Sequence, residues 1–382
     1  MGSEAGILVI THTAGEDTPA HHLVRALGRR RADVALLELP FYHSRLSHGD
    51  LSYWRAGKEL WRQPWAPHPG GILGQMLKDP LRIRTAVKAL GRVRTVVALD
   101  NLNAAVAIAL RGLGLVDQVV YYVIDHTPQR FANPLLNWIY GRMDVFCCLH
   151  ADRVWVLGNR MREAKLARGA KREQLVEVPI GVSVPWKKAP AAARAPRLVV
   201  VSHLEKSKGV QLAIESLSAI RKQVRGAELH IYGSGPYEGE LKALAGRLGL
   251  GQAVVFHGFV KEHAELLAAL PQYQAGLAPY LPDAENYSHW ADPAKPKEYL
   301  AAGLPVVITR VPLIAEEIEA RPMGLAIDYT QEALVGACVR LLKDARFRGR
   351  CRRQGLHFAA GLDWGGIFDR ALAASDIPVT ES

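Results

Sequence analysis

The chain has 382 residues, 49% of them hydrophobic and 22% charged, with a formal net charge of +11. That length suits two domains, and the balance is that of a folded globular protein, not a disordered one. No apolar run approaches the ~20 residues a spanning helix needs. No basic leader precedes the first apolar run, and four cysteines without a CxxC read as reduced thiols, not a zinc site. A cytoplasmic protein is expected, with the excess positive charge meeting nucleic acid, an anionic membrane or a phosphorylated substrate.

The first apolar run, residues 7–10, leads into THTAGEDTP. Thr18 and Pro19 make a helix N-cap and first-turn pair, and no GxGxxG is present. Thr13 and Gly15 follow this strand and are candidates for an acceptor-side wall. The next strand is expected over 34–39. The stretch LSYWRAGKELWRQPW, 51–65, is drawn as a helix ended by Pro64, with Trp54 and Trp61 on one face and Arg55, Lys58 and Arg62 flanking them. Such a face suits a membrane interface, or else lines an acceptor pocket. Arg84, Lys88 and Arg92 recur at four-residue spacing, with Ile83, Val87 and Leu90 on the packing side.

Strands are expected over 96–99 and 119–124. The second ends in YYVIDHTPQRF, which sets Asp125 and His126 at its carboxyl end. Either can act as a general base or stabilise developing positive charge, and the Asp can equally be a turn cap. Strands over 153–157 and 175–178 complete the first half. The Pro- and Ala-rich 185–197 reads as a linker between an N-terminal domain (1–184) and a C-terminal one (198–357), with 358–382 crossing back.

In the second half, strands are expected over 198–202, 228–232, 253–257, 275–279, 305–309 and 325–328. Continuous apolar strands alternating with helices give an α/β architecture of two Rossmann-like parallel sheets. Ligands of such sheets bind outside the carboxyl ends of the strands, here in a cleft between the domains. After the first of these strands, SHLEKSKGV puts His203, Lys206 and Lys208 near a helix N-terminus, where an anion is favoured. Gly233 and Gly235 in IYGSGP allow close backbone approach. In DPAKPKEYLAAGLPVV, 292–307, a short helix is expected from 296 or 297 to Gly303. Glu298 suits its first turn, but Lys295 and Lys297 sit at the wrong end for the dipole and imply a nearby anion. No DxD occurs, so a diphosphate would be met by lysines and a helix terminus without a metal.

These segments (SHLEKSKGVQLAIESL, LHIYGSGP, VVFHGFV, GLAPYL and PAKPKEYLAAGLPVV) resemble, in order and spacing, the GT-B glycosyltransferases of family 4. The likeness extends to a branch near membrane-associated polysaccharide glucuronosyltransferases. The resemblance implies a transferase moving a sugar from a nucleotide-sugar, UDP- or GDP-linked rather than ADP-linked, to a glycan or lipid-linked acceptor in cell-surface polysaccharide or glycoconjugate synthesis. It implies no cofactor beyond that donor. The residues themselves show no helix-turn-helix or RNP-like motif, so nucleic acid is not expected, and the tryptophan and basic stretches suit attachment at the inner face of the plasma membrane. It puts Lys208 and Lys295 on the phosphates, Glu298 on the ribose, and Gly233 and Gly235 beside base or ribose. Asp125 or His126 falls near the catalytic position. Two departures stand out: Trp290 replaces the family's first glutamate, and His203 its usual arginine. An epimerase of the same fold and a non-catalytic relative are the alternatives.

Overall fold

A computed structural model describes residues 6–13, 18–40, 49–65, 71–127, 129–183, 193, 195–282 and 287–377. Two compact units divide the chain: 1–179 with 364–382, and 180–363. Most of 185–197 lies outside the described residues.

The first unit is built on β1 (Ile7–Thr13), β2 (Asp33–Pro40), β3 (Gly49–Arg55), β4 (Lys58–Trp65), β5 (Val93–Ala98), β6 (Val116–Val123), β7 (Arg153–Val156) and β8 (Leu175–Glu177). They form one sheet in the order β4-β3-β2-β1-β5-β6-β7-β8. All neighbours are parallel except the β2–β3 and β3–β4 pairs. Valine-rich runs such as 119–123 are buried because helices cover both faces. The helices are α1 (Pro19–Arg29), α2 (Gly71–Leu90), α3 (Asn101–Gly112), α4 (Pro134–His150) and α5 (Asn159–Leu166). The strand order steps one way from β1 to β2 and the other way from β5 to β6 to β7. Right-handed crossovers therefore put α1 on one face and α3 and α4 on the opposite one.

The helix expected over 51–65 is instead the β3–β4 hairpin. Its turn residues Ala56 and Gly57 both have positive φ, 47° and 76°. That conformation matches the twist of paired strands. Tyr53 pairs across the hairpin with Trp61, their rings stacked at 6.0 Å. Pro64 is tolerated because β4 is the sheet edge. Trp54 and Trp61 therefore do not share a helical face. Arg55 is held by Asp33, and Arg62 by Glu59 and Asp50, so both guanidiniums face carboxylates of their own unit. Lys58 opens β4 and is exposed.

The second unit carries β9 (Arg197–Val201), β10 (Glu228–Tyr232), β11 (Val254–Gly258), β12 (Ala275–Ala278), β13 (Val306–Thr309) and β14 (Gly324–Ile327), all parallel, in the order β11-β10-β9-β12-β13-β14. Its helices are α6 (Val210–Gln223), α7 (Glu238–Arg247), α8 (His263–Ala269), α9 (Ala294–Ala301), α10 (Ile314–Ala320), α11 (Gln331–Lys343) and α12 (Ala345–Ala360). The last helix, α13 (Trp364–Ala374), packs on α1 of the first unit. Both sheets are doubly wound, so the α/β expectation is met.

Candidate functional site

The loops after β9, β10, β11 and β12 and the start of α9 surround a cavity of about 540 Å³ in the second unit. Its walls include Ser202, His203, Lys208, Gly233, Tyr280 and Lys295. Each comes from the carboxyl end of a strand or a helix start, as a doubly wound sheet dictates.

Lys208 lies just before α6. Gly209, at φ 69°, makes the left-handed step into the helix, and a Cβ there would sit 1.7 Å from the Pro279 carbonyl oxygen. Burial lowers the pKa of Lys208, against the pull of Glu205. Its ammonium lies 5.6 Å from the Tyr280 ring centroid and 3.4 Å from the Ser288 hydroxyl. Gly233 has φ 125°, and a Cβ there would strike the Ser202 carbonyl at 1.8 Å. Gly235 does not line the cavity. It lets the 233–236 turn approach the backbone of Leu204. His203 is exposed and faces Glu205 at 3.3 Å.

The helix α9 starts at Ala294, two or three residues earlier than expected, because Pro293 supplies an extended cap. Gly303 ends it at φ 77°. Lys295 donates to both oxygens of Glu298, at 3.0 and 3.2 Å. Glu298 is only 4% exposed and stands behind Lys295, with His263 at 3.6 Å. The ammonium of Lys295 thus meets a neighbouring carboxylate as well as the cavity. Lys297 is different from what its charge implied: it is buried, bonded to Asp292 and to the carbonyl of Ile180, and answers an internal carboxylate. The Asp292 carboxylate also accepts the Ile180 N–H at 2.9 Å. Trp290, in the place of the family's first glutamate, is half-buried and edge-on to His289.

In the first unit, Asp125 and His126 follow β6 as expected and have unlike surroundings. Asp125 is exposed. His126 is buried, and its Nδ1 lies 3.3 Å from the Lys165 ammonium, itself 1% exposed. Lys165 also binds both oxygens of Asp144, at 2.7 and 2.8 Å. Arg168 and the Tyr121 hydroxyl complete the shell of Asp144. Because an ammonium can only donate, Nδ1 of His126 accepts and the ring proton sits on Nε2. Burial first, then Lys165, push the His126 pKa down to about 4. A neutral ring with both nitrogens so committed can donate but cannot accept a proton.

A second buried cluster was missed in the sequence. His12, on β1, lies between Asp100 (Nδ1, 2.6 Å) and Asp79 of α2 (Nε2, 2.9 Å), with Asn103 beside it. Burial opposes its charge, but the two carboxylates outweigh it and raise its pKa to about 9. The three residues are far apart in the chain, so only adjacency of β1, β5 and α2 reveals them. Thr13 ends β1; its side chain and Gly15 lie outside the described residues. Among the described residues, no cluster of three or more His, Cys, Asp or Glu has the spacing to hold a metal ion.

The family model described as glycosyl transferases group 1 matches residues 195–344, which contain this cavity. A protein of Escherichia coli K12 named as a colanic acid biosynthesis glycosyltransferase, WcaL, is 29% identical over 228 residues, 57% of this chain and 53% of that protein. The glycogen synthase of Mycobacterium tuberculosis H37Rv is 32% identical over 184 residues, 46% of this chain and 42% of that one. The chain thus matches about half the length of these relatives. Among solved structures, Anabaena HepE in complex with UDP superposes with a TM-score of 0.71 at 16% identity, covering 97% of this chain and 99% of that one. Residues 195–344 are therefore similar to the group 1 glycosyl transferases, and the chain shares the GT-B fold of HepE.

Proposed function

We propose that this protein transfers a sugar from a nucleotide-sugar to a hydroxyl of a glycan or lipid-linked acceptor in polysaccharide or glycoconjugate synthesis. The observation that carries the reading is a cavity, inside the matched region, walled by Lys208, the start of α9 and Lys295, with Glu298 paired to Lys295 just behind the wall. A leaving diphosphate gains negative charge as the glycosidic bond breaks. Two ammonium groups and the amides at a helix start stabilise that charge with no metal in the step. Glu298 accepts from the ribose hydroxyls while it orients Lys295. HepE was solved with UDP and with UDP-glucose, which supports a UDP-linked donor here.

In the first unit we assign the acceptor proton to Asp125. It is exposed, and it is a carboxylate at a strand's carboxyl end. His126, holding its proton on Nε2, donates to an oxygen of the sugar or acceptor. No observation favours the epimerase alternative. The test is a thermal-shift panel of UDP, GDP, ADP and their sugars, followed by donor turnover with and without acceptor. A donor at a hundredfold its Kd stabilises by about 2.7 kcal/mol. No shift with any nucleotide, or turnover that ignores acceptor, overturns the reading.

A further inference from the structure

The helix layer α2–α3–α4 carries an outer face unlike that of a water-facing helix. On α2, Leu77 and Leu81 are exposed, while Ile83, Val87 and Leu90 are buried. The exposed stripe continues through Arg84 and Lys88. On α4, Leu135, Trp138, Phe146 and Leu149 are exposed, Trp138 at 64%, with Arg142 among them. These positions recur every three or four residues, so each set lies along one side of its helix. Both helices pack against α3 and so belong to one layer.

Charge narrows what this face meets. The three helices contain only two acidic residues, Asp79 and Asp144. Both are buried, one on His12 and the other on Lys165 and Arg168. Every exposed charged side chain on α2 and α4, namely Lys78, Arg84, Lys88 and Arg142, is therefore a cation. A second copy docking by the same face would set cation against cation around the apolar residues. An anionic bilayer supplies the opposite charge and a place for tryptophan and leucine at the headgroup boundary. Among the described residues, no helix is long and apolar enough to cross a membrane.

We propose that the outer face of α2 and α4 seats the protein on an anionic membrane surface, with Trp138, Leu135 and Leu81 in the interface and Arg84, Lys88 and Arg142 over the headgroups. The surface differs from the β3–β4 hairpin, whose Arg55 and Arg62 already face carboxylates.

The test is cosedimentation of the full chain with phosphatidylcholine vesicles, with and without 30% phosphatidylserine. Binding is expected only with phosphatidylserine and should weaken as salt rises. Each cation removed should weaken it roughly fivefold, so the Arg84→Gln/Lys88→Gln variant should fall by about twenty- to thirtyfold. Trp138→Ala should weaken it as well, and Arg55→Gln should leave it unchanged. Circular dichroism confirms that each variant is folded. Absence of binding at low salt, or wild-type binding by both surface variants, overturns the proposal. So does a concentration-dependent dimer in light scattering that Trp138→Ala abolishes, which would assign the face to a second copy.

Discussion

Replacing Lys165 with methionine removes the ammonium that faces Nδ1 of His126 and so favours the proton on Nε2. All three ammonium protons are spent, two on Asp144 and one on Nδ1. The fall of His126 from 6.5 to about 4 is worth about 3.4 kcal/mol at 1.36 kcal/mol per pH unit. Burial is the larger cause and survives the change, so the variant recovers only part of this, about one pH unit or more. Asp144 keeps Arg168 at 2.7 Å and the Tyr121 hydroxyl at 2.6 Å, so the loss of stability should stay below the 3–5 kcal/mol of an unpaired buried charge. Long-range proton–nitrogen correlation of the imidazoles from pH 4 to 8 reads the outcome, with His126→Gln assigning the signal. The native ring should show an Nε2 proton and no titration above pH 5. A native His126 that titrates between 6 and 7, or protonates on Nδ1, would refute the tautomer argument and return both residues to contention as base. The sign for stability follows: the unfolded chain takes up a proton below 6.5 and the folded one does not until about 4. This histidine therefore costs stability as pH falls through that window.

His12 acts in the opposite direction. Its raised pKa gives stability that is complete below 6.5 and lost as pH climbs to about 9, so His12→Asn should flatten the alkaline decline of the melting temperature. Lys208→Ala removes a charge-assisted contact worth about 1.5–3 kcal/mol, and calorimetry should show UDP binding weakened by roughly ten- to a hundredfold. Glu298→Gln should weaken nucleotide-sugar binding more than binding of inorganic diphosphate, because the latter lacks ribose; equal losses would contradict the ribose assignment. Gly233→Ala puts a Cβ against the Ser202 carbonyl at positive φ, and should lower both the melting temperature and nucleotide affinity.

The second unit was legible because its site is local. Gly233 directly follows β10, Lys208 lies in the loop after β9 and Lys295 in the first turn of α9, and parallel topology brings these strand ends and the helix start together. The hairpin at 51–65 was misread because a seven-residue interval between Trp54 and Trp61 suits two helical turns as well as two strands folded about 56–57. The turn pair is Ala-Gly, without the Asn or Asp that would have marked it. Lys297 was misread because its partner, Asp292, lies outside the helix. The His12 and Lys165 clusters were invisible for a related reason. Lys165 is 21 residues from Asp144 and 39 from His126, and His12 is 67 and 88 from its two carboxylates, so no local pattern encodes these buried ion pairs between separate strands and helices.

Tyr299 is fully buried in α9, and its hydroxyl accepts the N–H of Val201, at the lip of the cavity, over 2.6 Å. Its ring fills the space that any side chain on Gly276 would need, since a Cβ there would lie 2.2 Å from it. The two positions are thus complementary in volume. As this sequence diverges, position 276 can grow only where 299 shrinks, and a smaller 299 leaves the Val201 amide to find another acceptor. Relatives that keep the tyrosine should keep the glycine, and exchanges at the two positions should occur together.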